Sequence, residues 1–151
     1  MFRNALAVLI LVGAIGCSTK SQMKDSPQKT LSDYVSRSFA IKNPEEKRTL
    51  LEFTTGKVKS TLEKLDDGSF KAHFIDKKRE FISLKVKDER ALGEGKFSVT
   101  YELTYLTKSS ESENKITNKK HAVFVKEDGK WLISEVQNLK TFIEHENEMS
   151  L

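Results

Sequence analysis

Two sets of side chains in this 151-residue sequence have types and spacings suited to proton chemistry. Glu135 and Gln137 continue the every-second-residue series of Trp131 and Ile133 along one run, and Tyr101 and Tyr105 stand at even spacing along another. If both runs are strands, each set leaves from one face, and a carboxylate facing a phenol makes an acid-plus-phenol set able to move a proton. The same residues also read as plain structure, because alternating tyrosines pack cores and a glutamate near a strand end meets water. His73, His121 and His145 are isolated in sequence; His121, at the start of an apolar run, is the one placed to face a pocket. The pairs Lys77-Lys78 and Lys119-Lys120 flank predicted strands, where lysines either protect strand ends or meet anionic lipid headgroups. The sequence carries no serine nucleophile elbow, no Gly-rich phosphate loop and no His-x-x-x-His pair. Its single Cys17 can form neither an internal disulfide nor a paired metal site, so no metal and no organic cofactor is expected.

The elements that must position these residues change character halfway along the chain. Ser26-Pro27 opens a helix over about 27 to 41, with Leu31, Tyr34, Val35 and Phe39 on one face. Asn43-Pro44-Glu45-Glu46 starts a second, because Asn caps, Pro fits the first turn and Glu46 can reach back to the cap. That helix carries Leu50, Leu51 and Phe53 to Gly56; Val58, Leu62 and Leu65 then repeat at helical spacing until Asp66-Asp67-Gly68, and Phe70, Phe74 and Ile75 form a short further turn. From Phe81 the apolar period falls to two. The clearest strand is Phe97 to Tyr105, whose odd positions are apolar or aromatic and whose even positions are polar. Lys108 to Asn118 reads as a polar loop, and His121 to Val125 and Trp131 to Leu139 read as strands joined by a tight Asp128-Gly129 hairpin. Trp131 and Ile133 should face the helices that carry Leu31, Tyr34, Val35, Leu50 and Leu51, which predicts a mostly buried Trp131.

At the N-terminus, a basic residue (Arg3) precedes the uncharged run Ala5 to Val12, too short for the roughly 20 apolar residues a membrane span needs. It ends in Ala14-Ile15-Gly16-Cys17, which resembles the lipobox of bacterial lipoproteins. The resemblance implies cleavage before Cys17 and attachment of fatty acyl groups of the palmitate kind. Two or more chains, at about 0.8 kcal/mol per buried CH₂, anchor a protein stably. Ser18, where such lipoproteins carry Asp for inner-membrane retention, implies a bacterial cell-envelope protein lipid-anchored in the outer membrane and facing the periplasm. The chain then divides into a signal peptide (1–16), a lipidated Cys with a flexible Ser/Thr/Lys/Gln-rich tether (17–29), a folded domain (30–140) and a charged C-terminal tail (141–151).

A composition of 37% hydrophobic and 32% charged residues with seven Gly and two Pro belongs to one globular domain, and it excludes collagen, long disorder and a polytopic membrane protein. The net charge of +4 is spread through the chain without a stripe of one sign, so nucleic acid is not an expected partner. Helices followed by an antiparallel meander predict an α+β fold, N-terminal helices packed on a curved antiparallel sheet. The order of elements and the closing hairpin Val123-x-Val125-x-x-Asp128-Gly129-Lys130-Trp131-x-Ile133-x-x-Val136 resemble the cone-shaped nuclear-transport-factor-two-like superfamily, especially its small bacterial lipoproteins. A cystatin-like helix on a sheet is the runner-up fold. Isomerases of that superfamily use an acidic base with a Tyr or second acid as oxyanion donor inside the cone. The expected function is a membrane-anchored, non-enzymatic module that binds a small apolar ligand or an envelope protein, with Tyr101, Tyr105, Trp131, Glu135 and Gln137 as candidate pocket residues. The alternative is a small isomerase- or hydrolase-like enzyme with Glu135 as the acid.

Overall fold

The computed structural model describes residues 25–109 and 112–145. Cys17 and the lipobox lie outside them. Helix α1 (Pro27–Ala40) starts inside the stretch read as tether, because Ser26 Oγ accepts from Lys29 N at 3.1 Å and Pro27 fills the first turn. A 3-10 turn at Pro44–Glu46 leads into the short α2 (Lys47–Leu51), followed by α3 (Gly56–Lys64) and α4 (Asp67–Phe74). The expected cap forms only in part: Asn43 makes no side-chain cap bond, and Glu46 accepts instead from Lys42 N at 3.2 Å and from the Asn43 side chain at 2.9 Å. Asp66-Asp67-Gly68 ends α3 and also starts α4, since Asp66 Oδ1 accepts from Ser69 N at 2.7 Å.

Four antiparallel strands follow in the order β1-β2-β3-β4: β1 (Arg79–Gly93), β2 (Lys96–Lys108), β3 (Glu113–Glu127) and β4 (Lys130–His145). The chain is an α+β domain whose helices cover one face of this sheet. Odd residues of β2 (Val99, Tyr101, Leu103) and even residues of β3 (Ala122, Phe124) meet Leu31 and Val35 of α1 and Ile133 of β4 in one buried cluster. A second cluster, Ile41, Leu50, Leu62 and Phe70, ties α2, α3 and α4 together, and Tyr34 and Val58 pack against both. The hairpin between β3 and β4 turns on Asp128 and Gly129, both at positive φ (48° and 80°), the geometry that favours Asp-Gly there.

Three expectations change. The polar stretch 108 to 118 is loop only around its tip, and β3 begins at Glu113; likewise β4 continues through His145, so 141–145 is strand rather than tail. Those residues lack alternating apolar character, and polar cross-strand pairs hold them. Thr104 and Thr117 hydroxyls bond at 3.0 Å, Lys115 meets Glu144 at 3.0 Å, and Thr141 donates to Asn118 at 2.8 Å. Phe142 and Ile143 remain largely exposed there.

The third change concerns the phase of β4. The extra residue Ser134 is a β-bulge, so Ile133 stands opposite Phe124 while Glu135 stands opposite Val123 and Val136 opposite Ala122. Strict alternation from Trp131 to Gln137 is broken there. The outer edge of β4 is also occupied at this point: Ile133 N donates to Phe53 O and Thr55 N donates to Ile133 O, both at 2.9 Å.

Candidate ligand-binding cavity

Between the helices and the middle of the sheet lies a cavity of about 500 Å³. Its walls are Val35 and Phe39 of α1, Val58 and Leu62 of α3, Phe74 of α4 and Leu103 of β2. Tyr34, Tyr101 and Tyr105 also line it, so the two tyrosines singled out by spacing are brought to one place. Burial pushes the Tyr34 hydroxyl up to about 12, against a smaller opposing pull from Arg79. Burial raises Tyr101 further in the same direction. Both phenols are therefore neutral hydrogen-bond donors at physiological pH. Tyr105 is held differently: its oxygen accepts from Asn118 Nδ2 at 3.2 Å and its ring packs against Phe39, centroids 5.7 Å apart.

The other candidates stand elsewhere. The bulge at Ser134 puts Glu135 and Gln137 out of phase with Ile133, and neither lines the cavity. Glu135 faces Lys57 at 3.5 Å and accepts from Gln137 Nε2 at 3.2 Å, while Gln137 is exposed opposite His121. The acid-plus-phenol set is thus not assembled at the tyrosines. Trp131 is half-buried rather than mostly buried, at the hairpin end of β4, where its ring meets Phe97 edge-on at 6.2 Å and Lys126 covers it at 5.7 Å. It borders a separate, shallower groove beside Lys29, Asp33 and Phe53, where Lys29 pairs with Asp33. Position explains the difference: Trp131 stands just after the turn, at the margin of the cluster beside the start of α1, where Thr30 Oγ1 donates to its carbonyl at 3.0 Å, and Ile133 takes the fully buried place.

His121 lies inside β3, with Nδ1 3.1 Å from Thr100 Oγ1 on the sheet face away from the helices. His73 lines the cavity mouth and donates from Nδ1 to Ser69 O at 2.7 Å, and His145 meets Asn114 Oδ1 at 2.6 Å. Among the described residues no group of three or more His, Cys, Asp or Glu is placed to hold a metal ion. No described helix is long and apolar enough to cross a membrane.

Lys120 and Arg79 line the cavity and were not among the pocket residues singled out by the sequence. Lys120, predicted to flank a strand, sits within β3 on the same side as Ala122 and Phe124 and opposite Tyr101, with its chain turned into the cavity. Its parity with those two apolar residues was the available signal. Arg79 opens β1; its guanidinium donates to Ser38 O at 3.4 Å near the end of α1 and lies 4.9 Å over the Phe39 ring. Burial lowers the pKa of both, and for Lys120 the neighbouring Arg79 charge acts in the same direction.

The chain matches no protein-family model and no curated protein. Among solved structures it is similar to the solution structure of a SEC-C motif containing protein from Rhodopseudomonas palustris, with a TM-score of 0.52 and 15% identity over 76% of this chain and 80% of that one. At that identity the likeness is one of fold alone.

Proposed function

We propose that this chain is a lipid-anchored envelope lipoprotein whose α+β domain, of the nuclear-transport-factor-two-like cone type, is a non-enzymatic ligand-binding module. The observation that carries the binding reading is the cavity of about 500 Å³, a size within the usual range for small-molecule sites, whose lining mixes apolar walls with a few convergent polar groups and includes no Asp or Glu. A proton-abstracting enzyme of the isomerase kind needs an acid beside its phenol, and Glu135, which is not in that lining, is paired with Lys57. The helices stacked on one face of an antiparallel sheet support the cone type. Anchoring rests on Ala14-Ile15-Gly16-Cys17 and the apolar run before it, and outer-membrane placement rests on Ser18.

Mass spectrometry of the mature protein from a bacterial host tests the anchor. The expected species begins at Cys17 and carries diacylglycerol and an N-acyl chain. An unmodified Cys17, or cleavage elsewhere, overturns it. For the cavity, filling it by Leu103→Trp should abolish binding of any small molecule that co-purifies with the wild-type chain.

A further inference from the structure

The cavity holds two cations that no described carboxylate neutralises. Arg79 is satisfied in part by Ser38 O and by the faces of Phe39, Phe74 and Tyr105, at 4.9, 5.5 and 6.0 Å. The Lys120 ammonium has no hydrogen-bond or ion-pair partner among the described residues. By contrast, Lys87, Lys108 and Lys115 each sit within 3.2 Å of a glutamate oxygen. Both cations are half-buried, and both pKa values are lowered, so the fold bears an unfavourable electrostatic term here. An anion is the group that would remove it. The tyrosine hydroxyls of Tyr34 and Tyr101 add two neutral donors, and Lys77 adds a further positive charge at the rim.

We infer that the cavity binds an organic anion with an apolar body, its carboxylate or phosphate head held between Arg79 and Lys120 and its body against Val58, Leu62 and Leu103. This rests on the reading of the cavity as a ligand site and names the ligand's chemistry. The two cations supply the charge, while Tyr34 and Tyr101 can donate to further head-group oxygens. The aliphatic wall from α3 selects against bare inorganic ions, which would leave it wet. Lys120 is a binding residue in this scheme, whereas Arg79 also braces α1 against β1.

The test compares matched ligands that differ only in charge. The mature full chain in phosphatidylcholine nanodiscs is titrated by calorimetry, against empty discs, with decanoate and decanamide and with 2-naphthoate and 2-naphthamide. The expected result is that at least one carboxylate binds about tenfold or more tightly than its amide, as for hydrogen bonds to charged groups in a partly dry site. Lys120→Met keeps the volume and should abolish most of that preference while the amide still binds. The ligand-free Lys120→Met chain should melt no lower than wild type, because an uncompensated charge has been removed. Equal binding of acid and amide overturns the anion inference and leaves the ligand-site reading standing. A preference that survives Lys120→Met removes Lys120 from the site. If no member of either pair binds, the ligand-site reading itself falls.

Discussion

At the scale of single residues, burial rather than residue type ranks the contributions. Ile133 is fully buried among Leu31, Phe124 and Ala122, whereas Trp131 is half-buried and lies partly under the Lys126 chain. Ile133→Ala should cost about 3 to 4 kcal/mol and Trp131→Ala only about 2, although the indole is the larger group. Urea denaturation followed by circular dichroism measures both, and Trp131 should emit between the wavelengths of a buried and a free indole. The reverse order would mean that Trp131, not Ile133, closes the core. At this scale the sequence marked Tyr101 and Tyr105 correctly as neighbours on one face, since alternation in β2 is unbroken between them. It could not mark Glu135 as displaced, because the displacement comes from one extra residue, Ser134, whose placement depends on a partner outside β4.

Between elements, the decisive junction is where the segment after α2 lies along the outer edge of β4. The backbone of Phe53 and Thr55 holds Ile133 from the side opposite to β3. This pairing partly covers an edge that would otherwise be open, and it hands the chain into α3 at Gly56. Gly56 has φ +51°, and a Cβ there would meet Ser134 O at 3.4 Å. Gly56→Ala should therefore cost about 1 to 2 kcal/mol from the left-handed backbone alone, and it should loosen α3 from the bulge. Native-state hydrogen exchange should show the Thr55 and Ile133 amides losing protection ahead of the β2 amides. Unchanged protection at those two amides would show that the junction tolerates a side chain. The sequence reads Gly56 as the break between helices, whereas α2 already ends at Leu51 and Gly56 is the first residue of α3; its contact with a strand nearly 80 positions later is invisible there.

For the whole molecule, the two buried clusters and the cavity between them set how stability responds to pH. The Tyr34 hydroxyl titrates near 12 in the folded chain and near 10 in an unfolded one. Its raised pKa means that the full stability is present below about pH 10 and is lost as pH climbs toward 12, when the unfolded chain gives up a proton that the folded chain keeps. Tyr101 shifts in the same direction and adds to the loss. Tyr34 accounts for about 2 to 3 kcal/mol of it. Denaturation midpoints measured from pH 9 to pH 12 should fall steeply for the wild type and less so for Tyr34→Phe. Parallel curves for the two proteins would show that the Tyr34 hydroxyl is as well hydrated in the fold as out of it.

Local signals alone determined the cap at Ser26, the stop at Asp66-Asp67-Gly68, the register-setting Asp128-Gly129 turn, the change from helical to strand period near residue 80, and hence the α+β class. Each of these depends on residues within a few positions of one another, so the chain states them directly. Tertiary structure alone decided that polar residues 113–118 and 141–145 are strand, that Ser134 is a bulge, and that Lys120 turns inward beside Arg79. Those outcomes depend on partners far away in sequence: ladder groups on the neighbouring strand, the edge contact with Phe53 and Thr55, and the space left between the two clusters that Tyr34 and Val58 bridge. A lysine among polar neighbours looks solvated until its strand is paired and its parity with Ala122 and Phe124 is fixed.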